Sequence, residues 1–106
     1  MAIELLRTVI EALNNPFAIQ ILVFLLQRGE AKLTDILVFV TGVSKYRSVR
    51  RTIFSLEKAG LVEKEVITWG RAKKWNLRLT KLGEKIAKSI LESLRSVLKE
   101  HAKKST

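Results

Sequence analysis

The sequence predicts a mainly helical α+β fold, with one small β-hairpin and a long C-terminal helix. Three stretches carry that reading. From Ser44 to Ala59 the apolar positions recur at helical spacing, and Gly60 marks the end. After Gly60 the pattern changes to a period of two, and Gly70-Arg71 can form the two-residue tip of a hairpin. Further on, Ile86, Ile90, Leu94, Val97 and His101 recur at spacings of four, four, three and four, a heptad-like seam.

Taken in order, Ile3 to Leu13 reads as an amphipathic helix with Ile3, Leu6, Ile10 and Leu13 on one stripe. Asn15 is then placed to cap a second helix, with Pro16 at its first position and Gly29 at its end. This helix, Phe17 to Arg28, is apolar almost all round, so it is expected at the centre, covered on several sides. Ala31 to Leu33 suits a short strand. Thr34 is expected to cap a short helix, Asp35 to Val40, with Asp35 favourable in its first turn. Thr41-Gly42-Val43 turns the chain into the next helix, which makes a helix-turn-helix.

In that next helix Ser44 is the expected N-cap, and Gly60 the residue just past the end. Val49, Thr52, Ile53 and Leu56 share one face. Arg47, Arg51 and Lys58 lie opposite, flanked by Ser48 and Arg50. Lys45 and Arg47 sit in the first turn, where a cation opposes the helix macrodipole by a few tenths of a kcal/mol. An external polyanion would reverse that penalty.

The hairpin register follows from its tip. Val66 faces Trp75 and Val62 faces Leu79 on one side; Glu63 faces Arg78 and Ile67 faces Lys74 on the other. Lys64 points inward opposite Leu77, tolerable only near an edge. Thr80 caps the last helix, which extends to about His101, with Leu91 and Leu98 widening its stripe. Lys103 to Thr106 are expected to be disordered.

The chain has 106 residues, enough for one small domain with a modest core. It has no cysteine, which excludes disulfides, thiolate metal sites and thiol nucleophiles, and fits a reducing cytoplasm. No signal-peptide pattern opens it, and its longest apolar run, Ile21 to Leu26, is far shorter than a membrane span. The net charge of +10 is uneven: residues 1–43 carry a net of −1, and residues 44–106 carry +11. That asymmetry points to an anionic partner; the competing reading is a lysine-rich solvated surface. No nucleophile–base pair, carboxylate cluster or glycine-rich phosphate loop supports catalysis, so the chain is not expected to be an enzyme and no cofactor is expected.

Three local patterns resemble the winged helix-turn-helix transcriptional regulators, in particular the small MarR-, ArsR- and PadR-like proteins of archaea and bacteria. Asn15-Pro16 followed by Ile21-Leu22 and Leu25-Leu26 resembles their second helix. Ser48-Val49 through Leu56-Glu57-Lys58-Ala59-Gly60-Leu61-Val62 resembles their recognition helix running into the wing. Leu79-Thr80-Lys81-Leu82-Gly83 resembles the start of their last helix. Together these span residues 15 to 90. The resemblance suggests an archaeal or archaeal-viral source. The cysteine and histidine clusters of the metal-sensing members are absent, since His101 is the lone histidine.

The expected partner is double-stranded DNA, bound by a homodimer, with no membrane involved and a cytoplasmic, nucleoid-associated location. Residues 34–60 form the helix-turn-helix and 61–79 the wing, while 1–14 and 80–102 supply dimerisation helices. Recognition helix 44–59 enters the major groove, where Arg47 and Arg51 can each donate two bonds to a guanine. Ser48 and Tyr46 reach phosphates or base edges, with packing on the wing an equal alternative for Tyr46, and Arg50, Lys45 and Lys58 suit phosphates. On the wing, residues 66–75, the cations Arg71, Lys73 and Lys74 track the backbone or enter the minor groove. Leu6, Ile10, Leu13, Ile86, Ile90, Leu94 and Val97 are the expected dimer contacts. Phe54 is expected to pack under a neighbouring element rather than meet a thymine methyl, and Trp75 to join the core. Trp69 could staple the wing, touch a second subunit or stack on a base. An alternative function is an architectural, chromatin-type protein that coats DNA with little sequence preference. No residue pattern names a small-molecule effector.

Overall fold

The computed structural model describes residues 2–42 and 44–104; Val43 of the predicted turn, and Ser105 and Thr106 of the predicted tail, lie outside them. The elements in chain order are α1 (Ala2–Leu13), α2 (Ala18–Arg28), β1 (Glu30–Lys32), α3 (Leu33–Val40), α4 (Tyr46–Lys58), β2 (Val62–Trp69), β3 (Ala72–Leu79) and α5 (Lys81–Lys104). The fold class is therefore as expected from the sequence: helices with a small antiparallel sheet and a long last helix.

Helix α2 is the central one. Its Ile21, Leu22, Phe24 and Leu25 are buried, and α1, α3, α4 and α5 all pack against it. The face of α4 that the helical period singled out closes this core: Val49, Thr52, Ile53 and Leu56 are all buried. Thr52 is the one polar member. Its hydroxyl donates to the Pro16 carbonyl at 2.7 Å, across 36 residues of sequence. That bond holds the α1–α2 turn, where Phe17 adopts a left-handed φ of 65°. A bulky residue there is strained, and only surrounding contacts keep it so.

Four predicted helix starts meet the structure differently. Asn15 does not cap α2. Its side-chain amide donates to the Glu11 and Ala12 carbonyls, closing the C-terminus of α1, and the left-handed Phe17 separates Pro16 from the helix. Helix α3 begins before Thr34, because the Asp35 carboxylate accepts the Lys32 N–H and so sets Asp35 as its third residue. Ser44 is not the cap of α4; its hydroxyl donates to the Thr41 carbonyl, and the cap position falls to Lys45 without a side-chain bond. Thr80 does cap α5, accepting the Gly83 N–H at 3.0 Å. The last helix runs through Lys103 to Lys104, so the predicted fraying of Lys103 is not observed.

The end of α4 is closed by a pair of backbone bonds. Gly60 N–H donates to the Glu57 carbonyl and Leu61 N–H to the Leu56 carbonyl, with Gly60 at φ +80°. Strands β2 and β3 then pair in the predicted register, including Val62 with Leu79, Glu63 with Arg78, Val66 with Trp75 and Ile67 with Lys74. Gly70 alone of the two tip residues has a positive φ, as a type II′ turn requires. Strand β1 joins the free edge of β3, giving the order β1-β3-β2, with Ala31 opposite Leu77. Lys64 is accommodated because Glu57 of α4 lies 3.6 Å from its ammonium.

Two substitutions test this packing. A Cβ at Gly83 would overlap the Leu61 carbonyl. Gly83→Ala should therefore lower stability by about 1–3 kcal/mol although alanine favours helix. Thr52→Val removes the part-buried bond to the Pro16 carbonyl and should cost about 0.5–1.5 kcal/mol. Denaturant midpoints equal to wild type in both variants would contradict the described contacts.

Candidate nucleic-acid interface

The outward face of α4 is built by the same periodicity that buries its inner face. Arg47, Arg51, Phe54 and Lys58 form its exposed stripe, with Lys45 and Arg50 also exposed and Ser48 half-buried. No acidic residue lies in the first turn of the helix. Phe54 departs from expectation: it is 59% exposed, and no element among the described residues covers it.

Helix α4 and the hairpin are joined by a ladder of cations and rings. The Arg50 guanidinium lies 4.6 Å from the Trp75 ring centre and 5.4 Å from that of Tyr46. The Lys64 ammonium lies 4.2 Å from the Trp75 ring. Glu57, Lys64, Trp75, Arg50 and Tyr46 thus run in sequence from the C-terminal part of α4, across the sheet, to its N-terminal turn. Each cation–π contact at a partly exposed site contributes about 0.5–1 kcal/mol. Trp75 packs against the core as predicted, and it also fixes the angle between helix and hairpin.

Beside this ladder, Lys32, Leu33, Thr34, Tyr46, Arg50, Lys73, Lys74 and Trp75 line an open cleft of about 440 Å³. Four of the eight are cations and none is a carboxylate. The cleft brings together Tyr46 and Arg50 of α4 with Lys73 and Lys74 of β3, all of them residues the sequence singled out. It adds Lys32 and Thr34, which the sequence reading missed. Their signal is the pairing of Lys32 with Asn76, a contact between strands more than forty residues apart. Arg71, at the hairpin tip, is exposed and lies outside the cleft.

The acids near the hairpin are held at its far end. Arg78 Nε donates to Glu63 Oε2 at 2.9 Å. That bond and the charge of Glu63 raise the arginine pKa. Arg78 is so committed to an internal partner, whereas the tip cations are not.

The predicted dimer seam is divided. Leu13 and Ile86 pack against the protomer's own core, and Ile90 is half-buried. Leu6, Ile10, Leu94 and Val97 are exposed, together with Ile3 and Leu98. His101 is exposed near the end of α5. Among the described residues, no three or more His, Asp or Glu side chains cluster to hold a metal ion. No single helix among the described residues is long and apolar enough to cross a membrane.

No protein-family model matches the chain, and no curated protein matches it either. Solved structures do. A transcriptional regulator homologue from Pyrococcus horikoshii is 27% identical, with a TM-score of 0.69, over 92% of this chain and 97% of that one. A MarR-family regulator from Enterococcus faecalis is 20% identical, with a TM-score of 0.73, over 94% and 87%. One from Porphyromonas gingivalis is 19% identical, with a TM-score of 0.69, over 88% of each chain. All three are transcriptional regulators or a homologue of one. Their agreement over most of the chain at these TM-scores gives it the winged helix-turn-helix fold of the MarR-like transcriptional regulators.

Proposed function

We propose that the chain is a homodimeric regulator of transcription that binds a specific sequence in double-stranded DNA. Helix α4 lies in the major groove, and the hairpin tip follows the backbone into the adjacent minor groove. The observation that carries this is the acid-free cleft shared by α4 and β3. Its four cations, continuous with the exposed arginines of α4, match a phosphate backbone rather than a protein of mixed charge. Arg47 and Arg51, one turn apart and unpaired with any acid by a salt bridge among the described residues, suit guanine edges. Arg50, held on Trp75 and Tyr46, suits a phosphate. The work is done inside a cell without a cofactor, in the cytoplasm beside the nucleoid.

The dimer reading rests on the exposed stripes. Ile3, Leu6 and Ile10 of α1, and Leu94, Val97 and Leu98 of α5, are 48–77% exposed. Soluble proteins rarely leave extended apolar stripes to water. A two-fold axis through these helices would cover them and place two α4 helices about 34–36 Å apart, one turn of duplex. The overall net charge of +10 favours the alternative of an architectural DNA-coating protein. Random-DNA competition in a gel shift separates the two: a specific regulator keeps its selected site, a coating protein loses it.

Arg47→Ala or Arg51→Ala should cost about 1–3 kcal/mol on the preferred site and relax preference at one base position. Lys73→Ala should weaken binding evenly across sequences and lower the salt slope by about one. Unchanged affinity in both arginine variants would remove α4 as the reader.

Leu94→Asp puts a charge into the proposed dimer seam at an exposed site, so the protomer should still fold. Light scattering should then report monomers, and DNA binding should fall by much more than one contact accounts for. A wild-type protein that stays monomeric at micromolar concentration would overturn the dimer.

A further inference from the structure

Trp69 is the most exposed aromatic side chain of the described residues, at 79%. It stands next to the hairpin tip, opposite Ala72, and no ring or cation stacks on it. Trp75, the other tryptophan, anchors the hairpin to α4 through Arg50. Beyond the Val66–Trp75 pair, three further pairs and the tip project freely, and every residue from Ile67 to Lys74 is exposed. At about 3.4 Å per pair this is a projection of roughly 10 Å. The minor groove is about 7.5 Å deep and 6 Å wide. The projection is long enough to reach its floor, but a two-stranded tip is too broad to enter an undistorted groove. Only side chains can enter unless the groove opens.

The charges around Trp69 say what would cover it. Arg71, Lys73 and Lys74 surround the tip, while the hairpin's carboxylates, Glu63 and Glu65, lie at the end nearer α4 and α5. An apolar ring ringed by cations and set apart from acids complements a polyanion that carries flat apolar faces. On the deeper side Trp69 shares a hollow of about 390 Å³ with Ile67, Lys74, Lys32 and Trp75, so apolar surface continues behind it.

We infer that Trp69 is an aromatic wedge that stacks on a base step from the minor groove, widening the groove and bending the DNA. This rests on the DNA-binding reading above and deepens it. The arginines of α4 supply base identity, and the wedge adds a preference for a step that unstacks easily, such as a pyrimidine–purine step. Arg71 and Lys73 hold the phosphates on either side of the opened step.

The sequence makes the test clean, because it holds two tryptophans. The emission of Trp69 is the difference between the native chain and Trp69→Phe, which keeps Trp75 and its contacts. DNA binding is followed on the same sample by anisotropy of a labelled duplex carrying the selected site. Stacking predicts strong quenching of the emission in step with binding. It also predicts that Trp69→Ala, in the otherwise native chain, binds about tenfold more weakly and bends the duplex less by end-to-end energy transfer, with Trp69→Phe largely restoring both. Binding without quenching, or equal bending by Trp69→Ala and wild type, overturns the wedge and leaves the DNA-binding reading intact. Emission already blue-shifted without DNA, and dependent on protein concentration, overturns it in favour of a contact with a second copy. No binding in the wild-type protein overturns both readings.

Discussion

The arrangement depends on one junction, where the end of α4 meets the start of α5. The Gly60 carbonyl accepts the Thr80 hydroxyl at 2.6 Å, and the Leu61 carbonyl accepts the Thr80 N–H at 3.1 Å. The same Thr80 oxygen takes the Gly83 N–H, so one side chain closes the start of α5 against the end of α4. Gly83 lies so close to the Leu61 backbone that no side chain fits between them. Leu61 and Val62 are buried at this point, so neither helix can shift without opening the core. The hairpin leaves and returns through the same few residues. The junction therefore fixes the candidate DNA helix, the wing and the proposed dimer helix relative to one another. In a dimer, that rigidity is what would turn the spacing of two protomers into the spacing of two recognition helices.

The second constraint is electrostatic. The chain carries its excess charge where the structure offers few internal acids to meet it. The ion pairs Arg28–Asp35, Lys64–Glu57 and Arg78–Glu63 each serve local structure, and the cations of α4's outer face and the hairpin tip are outside them. Surface pairs of this kind contribute little to stability. Leaving Arg47, Arg51, Arg71 and Lys73 out of such pairs costs the fold little and keeps them available to a polyanion. The Trp75 ladder serves the same end, because it orients Arg50 without neutralising it.

Much of this was legible in the sequence, for identifiable reasons. The two faces of α4 follow from a single period, and the hairpin register follows from a two-residue tip that fixes every later pair. Helix starts were harder. Asn15, Thr34 and Ser44 are all good capping residues, but each lost the position to a bond formed nearby. Asn15 bonds back to Glu11 and Ala12, Ser44 to Thr41, and Asp35 to the Lys32 N–H, so competing bonds within four residues set the outcome. The cleft was half visible: Tyr46, Arg50, Lys73 and Lys74 belong to local patterns, whereas Lys32 arrives only through the β1–β3 pairing. The heptad-like seam misled in part, since periodicity reports an apolar stripe but not what covers it. Ile86 is covered by its own core and Leu94 is not. Phe54 shows the same limit in reverse, an apolar residue left in the open on a basic face.

The central claim is that the rigid unit of α4 and wing is presented twice to one face of duplex DNA. Hydroxyl-radical footprinting on a duplex selected by the purified protein tests it most directly. The account predicts two protected segments on each strand, related by a dyad and phased by one helical turn of about 10 base pairs, with protection extending into the flanking minor grooves where the wings lie. A single unpaired segment, or protection spread evenly along the duplex without phase, would contradict it.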